Sequence, residues 1–112
     1  MWKWVALSVC SLVAIDERTE VERLAERFAA QTEVRLWDNT RADMVTATEA
    51  YEVDYAPKWA EAVGQSLYYA EVLRKKPAIV LLVRNLKSER QFVYRCQTVC
   101  AAVGIRLYVV KL

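Results

Sequence analysis

Apolar residues recur along this chain with two different periods, and the changes of period mark its elements. In residues 19–31, Val21, Leu24, Ala25 and Phe28 fall three or four apart, the stripe of a half-buried helix, and Thr19 with Glu22 has the spacing of a capping box at its start. Residues 33–37 alternate and predict a first strand, and Asp38, Asn39 and Thr40 predict a turn. Residues 41–46 and 50–56 alternate again and are rich in β-branched side chains, which predicts a hairpin. A turn centred between Ala47 and Thr48 sets Asp43 opposite Glu52. Pro57 suits the first position of the next helix, and Arg74, Lys75 and Lys76 before Pro77 suit its end. Its apolar stripe is Trp59, Ala62, Val63, Ala70 and Leu73. Beside it runs a polar stripe of Lys58, Gln65 and Tyr69, with Glu61 at the edge. Residues 78–83 are continuously apolar, as in a strand buried on both faces. A helix capped by Ser88 runs to Val103, Gly104 ends it, and residues 105–112 predict a last strand. The order α-β-β-β-α-β-α-β predicts an α/β domain over residues 16–112, a mixed sheet flanked by helices. Trp37 and Trp59 are expected in its core, because strand and helix faces bury such area.

Residues 1–15 are apolar apart from Lys3 and too short to span a bilayer. They fit a secretory signal, with a charged start, an apolar middle and the small Ala14 near a cleavage point. They also fit an N-terminal strand or helix docked on the core. The first reading exports the protein and leaves it no membrane partner after cleavage. The second keeps it in the cytoplasm.

Composition narrows the chemistry. The chain has no histidine, which excludes Ser-His-Asp catalysis and histidine-ligated zinc. GxxxxGK and GxGxxG phosphate loops are absent. Of the three cysteines, Cys96 and Cys100 lie on the apolar stripe of the last helix with Phe92, Val99 and Val103, which predicts buried thiols. The net charge of +2 does not announce a nucleic-acid partner, although basic residues gather at Arg74, Lys75, Lys76, Arg84, Lys87 and Arg90. Like charges directly opposed in a sheet are destabilising, so Asp43 facing Glu52 needs compensation. Arg35 or Arg41 can supply it, and so can a divalent ion, which carboxylate donors would restrict to magnesium or manganese. The two-residue period sets Asp54 on the face of Glu52, with Tyr51, Val53 and Tyr55 on the other.

Asp43 in RAD, Glu52 in YEVD, and Gln65 and Tyr69 in QSLYY resemble the PD-(D/E)xK nuclease superfamily, in the branch with a downstream QxxxY motif. KWAEAVGQSLYYA is similar to the corresponding helix of small resolvase-like proteins, and the resemblance runs from about Thr19 to the end of the chain. It implies a restriction endonuclease-like fold and metal-dependent phosphodiester hydrolysis of nucleic acid, DNA first. It implies a magnesium or manganese ion held by Asp43, Glu52 and the backbone carbonyl of Val53, with Glu20 and Asp54 as further candidate ligands. The lysine of the family usually stands two residues after the second acid, where this chain has Asp54. Lys58 would serve from the start of the helix, with Gln65 and Tyr69 positioning the phosphate or orienting Lys58. Arg41, Arg74, Lys75 and Lys76 are the candidate contacts to the substrate backbone. A resolvase cuts symmetrically only as a dimer, so a homodimer is among the expected assemblies. The displaced lysine leaves two alternatives open: a non-catalytic member of the fold that binds nucleic acid or protein, and an exported interaction domain with a decayed site.

Overall fold

β-branched and aromatic side chains draw the chain into one mixed sheet of six strands in the order β1-β6-β5-β4-β3-β2. The structure, a computed structural model, describes residues 4–8 and 17–112, with side chains from Glu17 onward. The elements are β1 (Trp4–Ser8), α1 (Glu17–Phe28), β2 (Gln31–Arg35), β3 (Arg41–Val45), β4 (Glu49–Tyr55), a 3-10 turn (Ala56–Lys58), α2 (Trp59–Leu73), β5 (Lys76–Val83), α3 (Leu86–Val103) and β6 (Arg106–Lys111). From Glu17 onward they follow the predicted order of an α/β domain. β4, β5, β6 and β1 run parallel, and β2 and β3 are antiparallel. β1 takes the place expected of a docked N-terminal strand. Ala14 and the rest of residues 9–16, like residues 1–3, lie outside the described residues.

Alternation along β5 divides the core. Ile79, Leu81 and Val83 pack beneath α2 and α3 with Ala62, Val93, Cys96 and Cys100. Val80 and Leu82 face α1 with Val21, Leu24, Ala25, Met44, Tyr51 and Val53. The predicted thiols are buried, their sulfurs 3.7 Å apart. Val103, at the helix end, is exposed.

Three expectations are corrected. α1 spans Glu17–Phe28, so Thr19, predicted to cap it, lies within the helix. α3 is capped by Asn85, whose side chain accepts the Ser88 N–H, while Glu89 accepts the N–H groups of Arg84 and Asn85. Trp37 is not core. β2 ends at Arg35, and the indole, on the turn that follows, is 81% exposed. Trp59 packs against the α2–α3 side of the core.

Candidate active site

The site begins where two strands part. β3 follows β4 at Met44–Tyr51 and Val45–Ala50, the register predicted from the turn. Bonded pairs alternate in an antiparallel ladder, and the Thr46 N–H donates to the Glu49 carbonyl at 2.9 Å. Continued, that alternation would bring the Val53 N–H to the carbonyl of Ala42. It donates instead to Asp43 Oδ2 at 2.9 Å. The Asp43 side chain thus replaces the backbone of β3, and the strands open above it. β2 is kinked at the same level: Thr32 pairs with Met44 and Val34 with Ala42, while Glu33 between them has a φ of 53°. The Val53 carbonyl leaves β4 on the same edge as its N–H, toward the opening.

α2 covers this fork. The 3-10 turn with Pro57 at its start reverses the chain after β4 and leaves Lys58 at the N-terminal boundary of α2, its side chain making no cap. Glu61, Gln65 and Tyr69 follow at four-residue intervals, so they share a helix face. That face closes a cleft of about 190 Å³ lined by Glu17, Arg41, Asp43, Glu52, Asp54, Lys58, Glu61, Gln65 and Tyr69. Residues from four elements and the turn before α2 meet there, and seven of the nine are residues the sequence singles out for chemistry or substrate contact.

The cleft is electrostatically loaded. Burial first, and then the charge of Asp43 and hydrogen bonding to it, push Glu52 up to about 10. Burial also raises Asp43, against the lowering effect of the Val53 N–H. Asp54 is raised by burial, although it accepts the Tyr55 N–H at 2.8 Å and lies near Lys58. Burial and the charges of Asp54 and Asp43 push Glu17 up to about 7. Burial, then the charges of Glu52 and Asp43, raises Tyr69. One oxygen of Glu52, Oε1, is buried without a hydrogen-bond partner. A cluster of carboxyls held in this way either retains protons or takes up a cation.

Glu20 and the basic triplet are not part of this cleft. Glu20 is buried within α1, both its carboxylate oxygens lack a hydrogen-bond partner, and its nearest charge is Arg23 at 3.9 Å. Burial raises its pKa. The acid that α1 sends to the cleft is Glu17, three residues earlier, which the sequence does not single out. Arg74, Lys75 and Lys76 stand at the other end of α2 from Lys58, about 22 Å away along a 15-residue helix. There Arg74 is the left-handed cap and Lys75 Nζ donates to the Ala47 carbonyl at 2.8 Å. The cations in the cleft lining are Arg41 and Lys58, and Arg84 lies with its guanidinium 3.7 Å from the centre of the Tyr55 ring, just past the end of β5.

Every side-chain donor in the cleft that can ligate a cation offers oxygen, which suits a hard ion. Among the described residues no three Asp, Glu or Cys side chains are gathered closely enough to hold a metal by themselves. Glu17, Asp43, Glu52, Asp54 and Glu61 are the carboxyl groups that line the cleft. Among the described residues no helix is long and apolar enough to cross a membrane. Comparison of the chain with family models, with curated proteins and with solved structures gave no match.

Proposed function

We propose that the cleft is the active site of a metal-dependent phosphodiesterase acting on nucleic acid, DNA first, in a restriction endonuclease-like fold of the PD-(D/E)xK kind. The observation that carries the reading is the meeting of Asp43, Glu52, Lys58, Gln65 and Tyr69 in one cleft at the fork of β3 and β4. The partnerless Glu52 oxygen and the raised carboxyls beside it fit a site built to exchange a proton for a cation.

Asp43, Glu52 and the Val53 carbonyl would hold magnesium or manganese, with Asp54 beside them. When bound, the ion supplies positive charge at the scissile phosphate and makes a water molecule more acidic. The protein's own groups do the remaining work. The Lys58 ammonium lies where charge builds on the phosphoryl oxygens and stabilises it. Gln65 and Tyr69 donate hydrogen bonds that fix the phosphate against the fork. Arg41 neutralises a neighbouring phosphate, and Arg84 extends the basic edge at the strand ends. A second copy of the chain would allow symmetric cutting.

The test is a cleavage assay with magnesium on single-stranded, duplex and branched DNA. Asp43→Ala and Glu52→Ala should each remove cleavage while the circular dichroism of the fold persists. Cleavage at the wild-type rate by both variants sinks the reading.

A second reading rests on a specific observation: Asp54 occupies the position where the family usually has its lysine. It makes the protein a non-catalytic nucleic-acid-binding member of the same fold. Metal-independent binding with no cleavage of any of the three substrates selects it.

A further inference from the structure

Among the described residues, the most exposed large apolar side chain is one that the sequence assigns to the core. Trp37 is 81% exposed, while its neighbour Leu36 is buried. Its turn is fixed. The Leu36 N–H donates to the Thr40 carbonyl at 2.8 Å, and the Asn39 N–H donates to the Leu36 carbonyl at 3.1 Å. Asp38 accepts from the Thr40 N–H at 3.1 Å, from the Thr40 hydroxyl at 2.6 Å, and from the Tyr68 hydroxyl of α2. The last bond ties the turn to the helix that roofs the cleft. Tyr68 is itself 40% exposed, and its ring lies 5.7 Å from that of Tyr69, which lines the cleft. On the other side of the turn, Arg41 lines the cleft as well.

An indole held on a tied turn loses little freedom when a flat group stacks on it, so its area is available for binding at low entropic cost. From Thr40 to Asp43 the strand covers about 10 Å, a few nucleotides at a rise of about 3.4 Å. A base inside a duplex already has both faces stacked. An unpaired base has a face to offer, and every base has one, so stacking on tryptophan selects single strands without selecting sequence.

We infer that Trp37 is a stacking platform for an unpaired nucleobase, and that the substrate of the cleft carries single-stranded nucleotides a few positions from the bond that is cut. The inference rests on the nucleic-acid reading of the cleft, with Arg41 holding the phosphate between platform and fork.

The experiment is equilibrium binding of a labelled oligothymidine and of a blunt duplex of equal length, with calcium replacing magnesium, by the full chain and by Trp37→Ala and Trp37→Phe. Trp37→Ala is expected to weaken oligothymidine binding about 10-fold and duplex binding less than about 2-fold, and Trp37→Phe to restore most of the loss. Oligothymidine should also quench the fluorescence of the wild type more than that of Trp37→Ala. Unchanged oligothymidine binding by Trp37→Ala, or an equal loss for duplex, overturns the inference and leaves the nuclease reading standing. Loss of self-association with unchanged binding overturns it in favour of a contact between copies. A wild type that binds neither nucleic acid overturns both this inference and the reading beneath it.

Discussion

Glu52→Gln takes one ionisable group out of the crowded cleft and leaves the shape of the side chain intact. The Gln amide fills the same space but has no proton to lose. In the folded chain Glu52 is carried from its ordinary 4.5 to about 10 by burial and by Asp43. A raised carboxyl contributes its full stability below 4.5 and loses it as the pH climbs toward about 10. The metal-free wild type therefore weakens with rising pH. Each pH unit in that window costs about 1.4 kcal/mol, so at pH 7 the loss is on the order of 3 kcal/mol. Gln removes this slope. The assay is urea unfolding of both proteins in chelator at about pH 5, 7 and 9. Glu52→Gln should exceed the wild type by under about 1 kcal/mol at the lowest pH and by about 3 kcal/mol at neutrality, with a wider gap above it. Magnesium should restore the wild type most strongly at high pH, since it stabilises only the folded state that binds it, and should do little for the variant. A difference between the two proteins that stays constant across pH would refute the reasoning, because it would mean that Glu52 titrates alike in the folded and unfolded chains.

Other consequences are more local. Lys58→Ala should lower cleavage by roughly 100-fold and leave magnesium affinity unchanged in calorimetry, because Lys58 acts on the phosphate and is not a ligand. Arg74→Ala, Lys75→Ala and Lys76→Ala combined should change oligonucleotide affinity by less than about 3-fold in anisotropy titrations. Arg41→Ala should weaken binding and reduce its salt dependence by about one counterion. Asn85→Ala should cost about 1 kcal/mol in chemical unfolding without affecting cleavage, since it removes the cap of α3 at Ser88.

The elements carrying the site were readable because short-range rules govern them. The hairpin register follows from one turn position, and Met44–Tyr51 and Val45–Ala50 keep it, while Asp43 turns to the Val53 N–H. The QxxxY spacing follows from helical geometry and brings Gln65 and Tyr69 to one face. The errors have physical causes as well. Thr19 and Glu22 have the spacing of a capping box, which moved the predicted start of α1 inward and drew attention to Glu20 when Glu17 is the acid that reaches the cleft. Trp37 was assigned by hydrophobicity against its own alternation: Glu33 and Arg35 of that parity are exposed, and Leu36 of the other parity is buried. Arg74, Lys75 and Lys76 are near the motif in sequence, but a helix length separates them from it. Ser66 gave no signal at all, and it is buried with its hydroxyl donating to the Ala78 carbonyl at 3.2 Å. Replacement of a ladder bond by the Asp43 side chain depends on how far β3 and β4 diverge, a tertiary property that no local pattern encodes.

In the proposed site, the fork of β3 and β4 exchanges a proton for a divalent cation beside a nucleic-acid phosphate. Its most direct test is a calorimetric magnesium titration of the wild type and of Asp43→Ala, with an uncleavable phosphorothioate oligonucleotide present, in buffers of different ionisation heat. The wild type should bind magnesium with release of a proton, and Asp43→Ala should show no such binding. Equal binding by both proteins, or none by the wild type with the oligonucleotide bound, would contradict it.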